Sequence, residues 1–140
     1  MWILDTDHLT ILERGGSMAL PLQMRLGLVS VSDVATTIIN YEEQMRGWLS
    51  LAAQASTPEK VIFAYARLQT HVENFRDILI FPFDKAAFER LDSLRKVRLG
   101  VGTMDLKIAA ICLAHDATLL TRNLRDFQKV PGLKAEDWTQ

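Results

Sequence analysis

Trp2-Ile3-Leu4-Asp5-Thr6-Asp7 opens the chain with three consecutive apolar residues, then acids. An apolar run without alternation belongs in a strand covered on both faces, as at the centre of a parallel sheet. Met1–Asp5 therefore reads as a short buried strand. Its terminal acid stands where an open α/β sheet forms its ligand crevice. The pattern recurs along the chain. Glu42 and Glu43 follow Thr36-Thr37-Ile38-Ile39, Asp105 follows Val101-Gly102-Thr103, and Asp126 follows Thr118-Leu119-Leu120-Thr121. Acids gathered in one crevice repel each other unless a cation joins them. The pattern predicts a divalent-metal site, and a site built of carboxylates suggests phosphodiester chemistry.

Working outward, Thr6 or Asp7 can cap a helix through Glu13, broken by Gly15-Gly16. Ser17–Leu26 reads as helix, with Pro21 near its first turn. Val34–Ile39 is a second strand, and Asn40-x-x-Glu43 has the form of a capping box for a helix Tyr41–Gln54. Ser56-Thr57-Pro58-Glu59 starts another helix that runs to about Arg76. Ile78–Phe81 is a third strand, and Asp84 caps a helix over Lys85 to Lys96. Thr103 caps a helix Met104–His115, Ala117–Thr121 is a fourth strand, and Asn123–Gln128 is a short helix or turn. Pro131-Gly132 turns the chain toward a small edge strand ending near Trp138. Alternating strands and helices define an α/β class with a parallel sheet. An αα-hairpin over residues 41–76 departs from a plain βαβ repeat.

With 140 residues the chain has the size of one domain, residues 1–140. The net charge of −1 gives no global case for nucleic-acid or membrane binding. The distribution says more: from Arg95 to Lys129 seven basic residues face three acids, a local charge of +4 that leaves −5 elsewhere. A solvated helix face would look the same. The single Cys112 excludes a disulfide framework and a cysteine zinc site, reads as a small core residue, and fits a cytoplasmic protein. Neither a signal peptide nor an apolar run of membrane-spanning length is expected. His8, His71 and His115 lack metal spacing and read as surface or core residues. The chain has no nucleophile elbow, P-loop or dinucleotide fingerprint.

Each acid has two readings. Asp105 heads the stripe Ile108, Ala109, Cys112 on its own helix face, so it is a core-facing carboxylate that needs a cation or a helix N-terminus. Asp5 is a ligand or the cap of the following helix. Asp7 is solvent-facing or capping. Helical phase does not choose between Glu42 and Glu43. Gly47, one turn beyond Glu43, suggests a close backbone approach on that side, because helical glycine costs about 1 kcal/mol against alanine. Asn123 reaches the crevice or caps a short helix, and Asp126 reaches it or pairs with Arg122 or Arg125.

Four segments in this order carry a resemblance: Leu4-Asp5-Thr6-Asp7; Thr37 to Gly47; Gly102-Thr103-Met104-Asp105-Leu106-Lys107-Ile108-Ala109-Ala110; and Leu120-Thr121-Arg122-Asn123-Leu124-Arg125-Asp126-Phe127 before Pro131-Gly132-Leu133. With them the chain resembles PIN-domain ribonucleases of the VapC-like toxin group, over nearly its whole length. The resemblance implies a Rossmann-like three-layer fold with about five parallel strands and a clip-like helical hairpin, often a homodimer surface. It places the family's acids on Asp5, Glu43 and Asp105. The fourth acidic place falls on Asn123, so Asp126 supplies or supports that carboxylate.

The implied activity is endoribonuclease cleavage of RNA dependent on Mg²⁺ or Mn²⁺. Asp5 and Asp105 hold the metal, while Glu43, Asp126 and Asn123 complete its shell. Thr6 and Thr103 orient ligands, and Arg95, Arg98, Lys107, Arg122 and Arg125 guide the RNA backbone. The implied partners are a small VapB-like antitoxin and a second copy of the chain. The alternatives are a standalone PIN nuclease and a PIN-fold binding protein that no longer cleaves.

Overall fold

β1 (Trp2–Leu4) takes the middle of the sheet because both of its faces must be covered: Ile3 is 0% exposed and Leu4 2%. The computed structural model describes residues 1–140. The other strands are β2 (Val34–Thr37), β3 (Leu79–Phe81), β4 (Thr118–Leu120) and β5 (Lys134–Glu136). All pair in parallel, in the order β3-β2-β1-β4-β5. The helices are α1 (Thr6–Arg14), α2 (Leu20–Leu26), α3 (Ile38–Gln54), α4 (Pro58–Arg76), α5 (Lys85–Arg95), α6 (Thr103–Ala114) and α7 (Leu124–Phe127). This is the expected α/β class.

Successive strand residues enter opposite cores, as strand geometry requires. Ile3, Ala35, Phe81 and Leu119 join α5, α6 and α7 through Leu91, Ile108, Ala109, Cys112 and Phe127. Leu4 and Leu120 join the other layer, where α1, α2 and α4 contribute Leu9, Leu22 and Phe75. From β1 the chain builds outward to β2 and β3 on one side, then crosses back to place β4 and β5 on the other, so the strand order reverses between β1 and β4. The crevice therefore opens beyond the C-ends of β1 and β4.

Several boundaries differ from expectation; α1, for one, is capped by Asp5 and not by Thr6 or Asp7. β2 stops at Thr37, two residues early, because the Thr37 hydroxyl accepts from the Asn40 amide at 3.2 Å and caps α3. Capping overrides the strand preference of the Ile38-Ile39 pair. Asn40 is therefore inside the first turn and not the cap. Gly102, without a side-chain bond, takes the cap position of α6, so Thr103 is its first helical residue. Residues 17–19 form turns before α2, with Pro21 in the first turn as expected. β5 ends at Glu136, and Trp138 instead packs on Trp2 with ring centroids 4.6 Å apart. The expected hairpin is present as α3 and α4, the latter capped by Thr57.

Because Ile3 anchors the central strand, Ile3→Ala should remove about 2–5 kcal/mol of stability. The expected readout is a lower denaturant midpoint with an unchanged slope.

Candidate active site

Asp5 follows β1 directly, and the pairing of Leu4 with Leu120 sets Thr121 across from it at the end of β4. Three elements then converge on the Asp5 carboxylate. Its Oδ1 accepts from the Thr6 amide at 2.8 Å and from Asn40 Nδ2 at 2.8 Å. Its Oδ2 accepts from the Thr121 hydroxyl at 2.7 Å. Asp5 is thus both the cap of α1 and a wall of the crevice, so its two readings are compatible. Only 7% of the residue is exposed, and no cationic side chain pairs with it. Burial raises its pKa from 3.8 to about 6, against the opposing bond from Thr121; the negative charges of Asp7 and Glu43 add to the rise.

Of the two glutamates, Glu43 faces the crevice. Its Oε2 accepts from the Thr6 hydroxyl at 2.9 Å, whereas Glu42 pairs with exposed Arg46 at 2.6 Å. Glu43 is raised by burial first and by Asp105 second. Gly47 does not explain the choice: a Cβ there would meet nothing within 4 Å, so no backbone approaches. The informative signal is the Asn40, Glu43, Gln44 spacing, which puts the buried Asn40 and Gln44 on the same face as Glu43.

Asp105 stands half-buried in the first turn of α6, above the fully buried Ile108, Ala109 and Cys112. Burial raises it, and Asp126 and Asp7 add negative charge. Asn123 donates from Nδ2 toward Asp105 Oδ2 at 3.5 Å and Asp126 Oδ2 at 3.3 Å, bridging the two acids. It makes no side-chain cap for α7. Asp126 lies at the rim. Its bonds from Asn123 and Lys129 hold its carboxyl below the usual range. Its ion pair is with Lys129 at 3.3 Å, not with Arg122 or Arg125.

Sequence reasoning missed three participants. Asn40 is 0% exposed and also donates to the Thr6 hydroxyl at 3.1 Å, joining Asp5 to the Thr6–Glu43 pair. Thr121 could have been found from the strand register alone. Asp7 is neither free nor a cap. It accepts from the Arg122 amide at 2.9 Å and binds His8 Nδ1 at 2.6 Å. The opposite nitrogen of the fully buried His8 accepts from the Trp138 amide at 3.2 Å, which makes Nδ1 the donor to Asp7. Burial raises Asp7, but these hydrogen bonds outweigh it and hold its pKa low. Its persistent charge raises Asp5, Glu43 and Asp105 alike.

Among the other expected residues, Thr103 is exposed two positions before Asp105 and makes no side-chain bond. Lys107 is half-buried on α6. Arg95, Arg98, Arg122 and Arg125 are exposed, and none of the five basic residues forms an ion pair. No three acids or histidines converge to direct metal-ligating distance. The structure thus offers an all-oxygen crevice in which Asp5, Glu43 and Asp105 have no ion-pair partner, with cationic side chains close by in sequence.

A parallel three-layer α/β protein with such a crevice falls within a known class of fold. The PIN domain profile matches residues 19–133, and the chain belongs to the PIN-domain family. Ribonuclease VapC1 of Rickettsia felis is 28% identical over 134 residues, covering 94% of this chain and 92% of that protein. Ribonuclease VapC1 of Haemophilus influenzae is 37% identical over 49 residues, 35% of this chain and 37% of that one. The fold is similar to that of VapBC2 from Rickettsia felis bound to a DNA fragment from its promoter. There the TM-score is 0.75 at 20% identity, over 98% of both chains. VapBC-1 from nontypeable Haemophilus influenzae gives 0.73 at 18% identity, over 99% of this chain and 98% of that one.

The raised pKa of Asp5 has a measurable consequence. Folding takes up a proton between pH 3.8 and about 6, so stability is greatest below that window and falls as pH rises through it. The loss attributable to Asp5 is about 3 kcal/mol. Asp5→Asn keeps one oxygen for Thr6 and Asn40 and can donate to the Thr121 hydroxyl. Without added divalent cation, this variant should melt higher than wild type at pH 7.5 and lack most of the decline between pH 4 and 6.5. Thermal denaturation across that range checks it; a variant with the wild-type pH profile would contradict the assignment.

Proposed function

We propose that this chain is a metal-dependent endoribonuclease, the toxin of a VapBC-type toxin–antitoxin pair. The observation that carries the reading is the trio Asp5, Glu43 and Asp105, raised carboxyls without a cationic partner at the switch point of a PIN-domain sheet. The similarity to Ribonuclease VapC1 of Rickettsia felis over most of both chains supports the substrate class.

The donor set fits a hard cation. All candidate donors are oxygens, and the uncompensated negative charge on three acids favours a divalent ion. The lack of a closed three-carboxylate cluster suits Mg²⁺ or Mn²⁺, since Mg²⁺ keeps several waters and uses one or two direct carboxylates. Asp5 and Asp105 would hold it, and Glu43, Asp126 and Asn123 would complete the shell, partly through water. When bound, such a cation activates water at neutral pH and offsets negative charge at the phosphate.

The protein's own groups do the positioning. Thr6, Asn40 and Thr121 fix both oxygens of Asp5, and the Thr6 hydroxyl orients Glu43. Asn123 sets the side chain of Asp105 against Asp126. The unpaired Arg95, Arg98, Lys107, Arg122 and Arg125 are available to RNA phosphates, and Thr103 to the leaving group.

A VapB-like antitoxin is the proposed partner. Met24 (66% exposed), Leu28 (88%) and Val31 (85%) leave an apolar surface of the kind that protein partners cover. Ile62, Phe63 and Tyr65 on α4 are similarly exposed, and we assign that hairpin to a homodimer contact. No helix is long and apolar enough to cross a membrane. The cytoplasmic location belongs to the toxin–antitoxin reading.

Wild type should cleave RNA with Mg²⁺ or Mn²⁺ and stop when the cation is chelated. Asp5→Ala and Asp105→Ala should each lose more than about 100-fold in cleavage, since even supporting residues around a metal cost about 10–100-fold. Asn40→Ala, which only positions Asp5 and Thr6, should fall in that smaller range. Single-stranded RNA, tRNA and DNA assayed side by side decide the substrate. Preference for DNA, or full activity in both aspartate variants, would overturn the assignment.

A further inference from the structure

We propose that Arg14, the loop Gly15-Gly16-Ser17 and Arg122 form a second phosphate subsite, which seats a backbone phosphate of the RNA beside the acidic crevice. These residues line one recess of about 290 Å³. This deepens the ribonuclease reading and rests on it.

Three independent features meet there. First, the two guanidinium groups are exposed and neither forms an ion pair, so two full positive charges face one recess without protein compensation. Guanidinium groups suit phosphate oxygens because their planar donors match them two at a time. Second, the amide N–H groups of Gly16, Ser17 and Met18 donate to no protein acceptor. Consecutive free amides in a turn form an anion-binding concavity. The backbone turns here through φ of +65° at Gly15 and +76° at Gly16, which other residues rarely adopt. A Cβ at either glycine would meet nothing within 4 Å, so the glycines serve the backbone path and leave the recess open.

Third, the recess is joined rigidly to the acids. The amide of Arg122 donates to Asp7 at 2.9 Å, and Thr121, the preceding residue, holds Asp5 at 2.7 Å. Arg14 ends α1, whose cap is Asp5 itself. Nine helical residues rise about 13 Å, roughly two nucleotide spacings of an extended strand. Both walls of the recess are therefore anchored on elements that also carry the crevice. An RNA strand crossing the acids would run onto a positive, hydrogen-bond-donating surface, offsetting the repulsion it meets at Asp5, Glu43 and Asp105.

The test uses the full chain and a labelled single-stranded 2′-O-methyl RNA that resists cleavage, with binding followed by anisotropy over a salt series. Arg14→Ala should weaken binding about 3–10-fold. It should also reduce the magnitude of the log–log salt slope by about 0.7, the signature of one lost single-strand phosphate contact. On cleavable RNA, KM should rise by the same factor with kcat unchanged. Arg14→Lys should recover most of the slope, and Arg90→Ala, an exposed arginine on α5, should match wild type. If wild type binds and cleaves RNA but Arg14→Ala keeps the wild-type affinity and slope, the subsite is overturned while the ribonuclease reading stands. If wild type binds no RNA at all, the ribonuclease reading fails, and the subsite fails with it.

Discussion

The structure turns on a carboxylate placed where it cannot be comfortable. Asp5 is almost wholly buried between two strand ends, satisfied by three neutral donors and lacking any cation. Neutral hydrogen bonds keep the group from being orphaned, but they do not cancel its charge, so its pKa still climbs to about 6. The molecule thus stores an unfavourable charge at the switch point of its sheet. Sites of this kind carry stability costs that the remaining core must offset, and on the proposed reading a bound cation would relieve them.

The surrounding hydrogen bonds are best understood as the means of keeping that charge in one position. Each comes from a different segment: Thr6 from α1, Asn40 from α3, Thr121 from the end of β4. The Asp7–His8 pair adds a brace at the back. It ties α1 to the segment after β4 through Arg122, and to the C-terminal stretch through Trp138. Residues more than 100 positions apart are thereby locked within one small volume. A parallel sheet makes this possible, because all strand C-ends point to the same edge.

The acids are not equivalent. Asp5, Glu43 and Asp105 are raised, whereas Asp7 and Asp126 are held low by their own partners. On the proposed reading, the three raised groups are the ones that a divalent ion would relieve. Asp7 retains its charge and acts on the others through space, a role distinct from ligation. Asn123 puts a neutral amide where a further acid would increase repulsion, and spans Asp105 and Asp126 instead.

Much of this was legible in the chain itself. Unalternating apolar runs followed by acids determined parallel strands and a crevice, because a strand buried on both faces admits little else. The stripe below Asp105 determined that this acid faces the core. Selecting Glu43 over Glu42 needed either family resemblance or tertiary structure, since the contact that orients it comes from Thr6, 37 residues away. Asn40 looked like a helix cap because its local spacing allows one. Only the assembled sheet decided that Thr37 would cap and that the Asn40 amide would turn to Asp5. The same holds for His8, whose two partners lie at opposite ends of the chain. Periodicity and capping are local and can be read from neighbours in sequence. Partner choice for a buried polar group is settled by which distant donor the fold delivers to it.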